Sequence, residues 1–168
     1  MEKYVGHIEH GSNGGIPFDR KTIPLVKTHE YPTDNNAAIY VVRDGRAACV
    51  SLWNFYHNSR PLRAIVEGQQ MFGKCSDHVR AWQPYKRPNT LLLKYEDMRS
   101  DLPTTLKKIS DFLNIKIKQN DVPDRATIAG VDGRWVKMRT DWSNVFPQDL
   151  LDKFNEQNKE MLEIMGYM

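Results

Sequence analysis

Ala37-Ala38-Ile39-Tyr40-Val41-Val42, followed at once by Arg43-Asp44-Gly45, is the stretch that decides the fold. The run is apolar, β-branched and aromatic, with no polar alternation. Such a run suits a strand buried on both faces, as in a parallel sheet. From Arg46 the period becomes helical, with Ala48, Leu52 and Phe55 on one face and Cys49, Trp53 and Tyr56 beside it. A strand passing directly into a helix is the unit of a layered α/β fold.

The flanking sequence repeats that alternation. Upstream, Ile23–His29 has a short strand-like look, and Tyr31-Pro32-Thr33-Asp34-Asn35-Asn36 is turn material. Downstream, Pro61 ends or restarts the helix, and a second helical stretch within Leu62–Trp82 stops before Pro84. Thr90–Tyr95 is a third strand. Pro103 suits a first helical turn and precedes Leu106, Ile109, Phe112 and Leu113 at helical spacing. A last helix starts near Pro147, shows Leu150, Leu151, Phe154, Met161, Leu162 and Met165, and meets Gly166 as a C-cap. The expectation is a single α/β domain over residues 1–168, a parallel sheet flanked by helices. Residues 1–22, with Gly11-Ser12-Asn13-Gly14-Gly15, read as a loop. Residues 120–146 show no period and read as a loop that closes over a site.

Composition narrows the function classes. The 168 residues are 40% hydrophobic and 27% charged, which fits a globular domain rather than a disordered tail. No apolar run reaches the roughly 18–20 residues of a membrane span. The first residues lack the basic-then-apolar pattern of a secretory signal, so a cytoplasmic location is expected. Twenty-four Lys and Arg against 21 Asp and Glu give a net charge of +3. That favours anions without the polybasic footprint of a nucleic-acid protein. The two cysteines, Cys49 and Cys75, make neither a zinc box nor a disulfide framework, so no metal is expected.

Three strand ends carry the chemistry. In Pro24-Leu25-Val26-Lys27-Thr28-His29, strand alternation puts Lys27 and His29 on one face. An imidazole there can take a proton from a hydroxyl while the ammonium stabilises charge on a transferred group. A solvated strand end is the competing account. Arg43 ends the central strand where open α/β sheets bind ligands, and the next helix offers N–H groups to an anion. Ser51, two turns on, can reach the same anion if its face is right. The alternative is that Arg43 merely pairs with a carboxylate. Leu91-Leu92-Leu93-Lys94-Tyr95-Glu96-Asp97-Met98 ends a strand in Tyr95, which can face a base or simply pack there.

Taken in order, these segments resemble the sulfotransferase family of the cytosolic, P-loop-like type. Lys27-Thr28-His29 is similar to its catalytic strand end. Arg43 through Ser51 is similar to the element that holds the 3'-phosphate of the donor, 3'-phosphoadenosine-5'-phosphosulfate (PAPS). Gly73, His78-Val79 and Trp82 resemble a Gly…His-Val…Trp segment. Leu93 to Met98, with Leu106-Lys107-Lys108-Ile109 and Phe112-Leu113, resembles the family's Tyr-Glu-Asp strand and helix. Trp142 through Tyr167 resembles its C-terminal end. The resemblance implies a P-loop NTPase-like three-layer fold and sulfuryl transfer to a hydroxyl or amine acceptor. In it His29 is the general base, Lys27 stabilises charge, Arg43 and Ser51 anchor the donor, and Tyr95 lies near the adenine.

Two departures qualify this. The family's opening strand and Pro-x-Ser-Gly-Thr-Thr-Trp-like loop, which cradles the 5'-phosphosulfate, has no counterpart here. The fold is therefore expected to be N-terminally truncated, with a partner chain or second copy covering the missing strand. A non-catalytic nucleotide-binding or interaction module of the same fold is the alternative function. The family's Arg-Lys-Gly is also replaced by Gly133-Arg134-Trp135-Val136-Lys137-Met138-Arg139. Arg134, Lys137 and Arg139 are each candidates for the 3'-phosphate. No nucleic-acid or membrane partner is expected.

Overall fold

The computed structural model describes residues 5–8, 25–56, 59–69, 73–117, 124–131 and 141–168. Among the described residues, four strands, β1 (Val5–Ile8), β2 (Leu25–Thr28), β3 (Ala38–Val42) and β4 (Thr90–Lys94), form two parallel ladders, β1 with β2 and β3 with β4. The α-helices described beside them are α1 (Gly45–Phe55), α2 (Leu62–Val66), α3 (Cys75–Trp82), α4 (Tyr95–Ser100), α5 (Leu102–Leu113), α6 (Arg125–Val131) and α7 (Gln148–Met165). The chain is α/β, with parallel strands flanked by helices. Among the described residues, no helix is long and apolar enough to cross a membrane.

The last helix organises the packing. Its apolar stripe faces two clusters at once. Phe154, 1% exposed, joins Leu150 and Leu162 against Cys49 and Val50 of α1 and Ile65 and Val66 of α2. Met161 and Met165 meet Tyr40 and Val42 of β3 and Val79 of α3. Asn158 ties α7 to α3: its Oδ1 accepts the Ser76 N–H at 3.2 Å, and its Nδ2 donates to the Phe154 carbonyl. That bond satisfies an amide at the start of α3 that has no partner inside the helix. Gly166 ends α7 in the left-handed region at φ 69°, as its C-cap role requires.

Gly45 is needed for a different reason. A Cβ there would lie 2.7 Å from the Cys75 Sγ and 2.8 Å from the Phe154 Cζ. Only glycine lets α1 start this close to α3 and α7.

Three expectations need correction. β3 is not buried on both faces: Tyr40 and Val42 are buried, but Val41 is 47% exposed. α7 and α3 cover one face, whereas on the other α5 packs on β4, burying Leu93 beside the open Val41. Residues 1–22 are not all loop, because Val5–Ile8 pairs with Leu25–Thr28. Four residues are too few to show a period. Within residues 120–146, α6 forms where the Asp124 carboxylate accepts the Thr127 N–H at 2.7 Å and caps the helix. Gly11–Gly15 lies outside the described residues.

Candidate functional site

The β3–β4 register builds the site. Val42 lies opposite Lys94, so the residues that follow, Arg43 and Tyr95, leave the ladder side by side. The Arg43 guanidinium sits over the Tyr95 ring, 4.7 Å from its centre. Stacking uses the flat face of the cation and leaves its in-plane N–H donors for a bidentate anion. Two residues singled out separately in the sequence thus form one unit.

The turn into α1 differs from the expected anion cradle. Asp44 is its N-cap and accepts the Arg46 N–H at 2.9 Å, while its own N–H donates to the Glu96 Oε1 at 3.2 Å. The capping carboxylate therefore takes one of the amides at the start of α1, and Glu96 takes the one before it, where open amides were expected. An aspartate that can cap its own helix does so. Arg46 is held on three sides: by both Asp44 oxygens, by the Tyr167 carbonyl at 2.7 Å, and by the Trp142 ring at 4.4 Å. The Tyr167 hydroxyl donates to Glu96 at 2.8 Å, and Lys94 Nζ lies 5.0 Å from the centre of its ring. These contacts fasten the C-terminus beside Arg43 and Tyr95. Burial is the main cause pushing the Tyr167 phenol above its ordinary range, with Glu96 adding to it.

Ser51 stands exposed in the middle of α1. Lys27 and His29 are both exposed at the end of β2, with the half-buried Thr28 between them. The backbone there is fixed from two directions. Glu30 N–H donates to Thr28 Oγ1 at 2.9 Å, and Trp82 Nε1 donates to the Glu30 carbonyl at 3.0 Å. His78 Nδ1 and the Tyr40 hydroxyl are hydrogen-bonded at 2.9 Å. Burial holds the His78 imidazole below its ordinary pKa, opposed by backbone hydrogen bonds to His29 and Glu30. Arg134, Lys137 and Arg139 lie outside the described residues. Among the described residues, His, Cys, Asp and Glu side chains form no group of three that would hold a metal ion.

A sulfotransferase domain model matches residues 21–129. The chain belongs to the sulfotransferase family. It is 33% identical over 97 residues to the luciferin sulfotransferase of Photinus pyralis, covering 51% of this chain and 25% of that protein. It is 35% identical over 95 residues to sulfotransferase 2A1 of Rattus norvegicus, covering 50% of this chain and 34% of that one. The chain thus spans about a quarter to a third of these two relatives. Mouse sulfotransferase SULT7A1, crystallised with PAP, superposes with a TM-score of 0.60 at 22% identity, over 76% of this chain and 58% of that one. Retinol dehydratase, in complex with androsterone and PAP, gives 0.56 at 20% identity, over 83% of this chain and 48% of its own. These two likenesses bear on fold.

Sequence reading missed Arg46, Glu96 and Tyr167. Their link joins segments far apart in the chain, and no local pattern announces it. The one local signal was Asp44 placed to cap α1.

Proposed function

We propose that this sulfotransferase chain binds PAPS at the ends of β3 and β4 and transfers its sulfuryl group to a hydroxyl or amine of a small acceptor. The observation that carries the reading is the Arg43–Tyr95 unit. It offers a planar cation for a phosphate and an aromatic ring for a base within one contact.

Arg43 holds the 3'-phosphate through a charge-assisted fork, and Ser51 adds a hydroxyl to it. Tyr95 borders the adenine. One of Arg134, Lys137 and Arg139 adds positive charge to the 3'-phosphate. Lys27 stabilises negative charge on the sulfuryl oxygens and the bridging oxygen as the bond to the leaving group lengthens. His29 takes the acceptor's proton. A neutral imidazole carries an unprotonated ring nitrogen and so can act as a base. Positioning and charge stabilisation supply most of the acceleration, as in phosphoryl transfer.

The test is calorimetric titration with 3',5'-bisphosphoadenosine, using 5'-AMP as control. Binding that requires the 3'-phosphate and weakens in Arg43→Ala supports the donor site. Equal affinity for both nucleotides would defeat it. His29→Ala should then abolish turnover while sparing that binding.

A further inference from the structure

His29 has an exposed side chain at the start of residues 29–37, which have no regular secondary structure. A base on such a segment needs something to aim it. That support comes from α3 and β3. The His78 ring packs 5.9 Å from the Tyr31 ring of this segment, centre to centre, and Trp82 Nε1 donates to the Glu30 carbonyl. Tyr40, in the middle of β3, bonds His78 Nδ1 at 2.9 Å. In either tautomer this bond ties the imidazole to the centre of β3. The rings also pack together: His78 lies 5.6 Å from Tyr40, 5.9 Å from Tyr31 and 6.2 Å from Trp82, centre to centre.

We propose that His78 is a positioning residue for His29: with Tyr40 and Trp82 it fixes the backbone at the end of β2 and so aims the exposed base. This rests on the reading of His29 as the general base. An aliphatic side chain on α3 would fill the same space against β3 without covering a polar ring. A half-buried imidazole bonded to Tyr40 and packed on Tyr31 sets direction and register, which packing alone does not. Reactive groups misplaced by about 1 Å lose rate on the order of 100-fold, so such a clamp has a kinetic consequence.

The experiment compares the whole chain with His78→Phe, which keeps a ring of similar size, and Tyr40→Phe, which removes only the hydroxyl. Three quantities are read: kcat, affinity for 3',5'-bisphosphoadenosine, and amide hydrogen exchange at Glu30 and Tyr31. In His78→Phe, kcat should fall on the order of 10- to 100-fold with donor affinity unchanged, and the two amides should exchange faster. Tyr40→Phe should lower kcat about 3- to 10-fold, the range of one lost hydrogen bond. An active enzyme whose kcat is unchanged in both variants overturns the positioning role. Unchanged exchange in His78→Phe overturns the clamp itself, whether or not the chain is active. If instead His29→Ala keeps full turnover, the general-base reading fails, a result distinct from either.

Discussion

The Arg43 guanidinium stacks 4.7 Å from the centre of the Tyr95 ring, at the point where two paired parallel strands both end. Neither residue was chosen by its neighbours in sequence; the Val42–Lys94 pairing brings them together. Removing the cation therefore removes a charge-assisted contact and leaves the ring uncovered. In Arg43→Ala, affinity for 3',5'-bisphosphoadenosine should weaken by about 1.5–3 kcal/mol, with 5'-AMP little affected. Arg43→Lys should recover only part of the loss, because a point charge lacks the flat face and the fork. Calorimetry on the three proteins decides it, and equal loss for both nucleotides would place Arg43 elsewhere on the ligand.

Gly45→Ala tests the close approach of α1 to its neighbours. The added methyl meets the Cys75 sulfur and the Phe154 ring at distances that side chains do not tolerate, so α3 or α7 must move. Overpacking of this kind costs about 1–3 kcal/mol. The urea midpoint should fall with the slope unchanged. An unshifted midpoint would mean that the helices yield freely at this contact.

The strand and helix order was legible because each piece carries its own signal. β3 is a β-branched run, α5 has Pro103 in its first turn, and α7 runs from Pro147 to a left-handed Gly166. The exposure of Val41 was not legible, because an apolar run reads the same whether one face or two is covered. The site divides similarly. Lys27, His29, Arg43 and Tyr95 stand out by type and position at strand ends. Asp44 capping its own helix, Arg46 reaching the Tyr167 carbonyl and His78 reaching back to His29 depend on tertiary placement. Long-range pairs leave no period to read.

The two thiols should be slow to react in the native chain. Burial is the main cause pushing Cys49 up to about 12 and Cys75 up to about 11, with neighbouring negative charge adding to both. At pH ~8 the native thiolate fraction of Cys75 is then about one in a thousand, and the thiolate is the nucleophile. Alkylation by iodoacetamide, followed by mass spectrometry, should be far slower in buffer than in denaturant at both positions. Rapid native labelling would contradict the burial of Cys49 or the raised pKa of the half-buried Cys75. The linkage has a definite sign. Folded pKa values above the ordinary 9.0 give stability that is full below that pH and declines above it, where the unfolded chain releases its protons first.

His78 predicts the opposite slope on the acid side. Its half-buried ring packs among Tyr31, Tyr40 and Trp82, and burial holds its pKa below the ordinary 6.5 despite the backbone hydrogen bonds to His29 and Glu30. Tyr40 faces it from β3 and stays protonated throughout, since burial pushes that phenol well above its ordinary value. Below pH 6.5 the unfolded chain takes up a proton at this histidine that the folded chain resists, so stability drops as pH falls from there through the folded pKa. Above 6.5 the contribution is complete and flat. Urea midpoints measured between about pH 7.5 and about pH 5 should fall in the native protein and fall less steeply in His78→Phe. Parallel curves would show that the imidazole stays as easily protonated in the fold as in the open chain, and that burial does not hold it neutral.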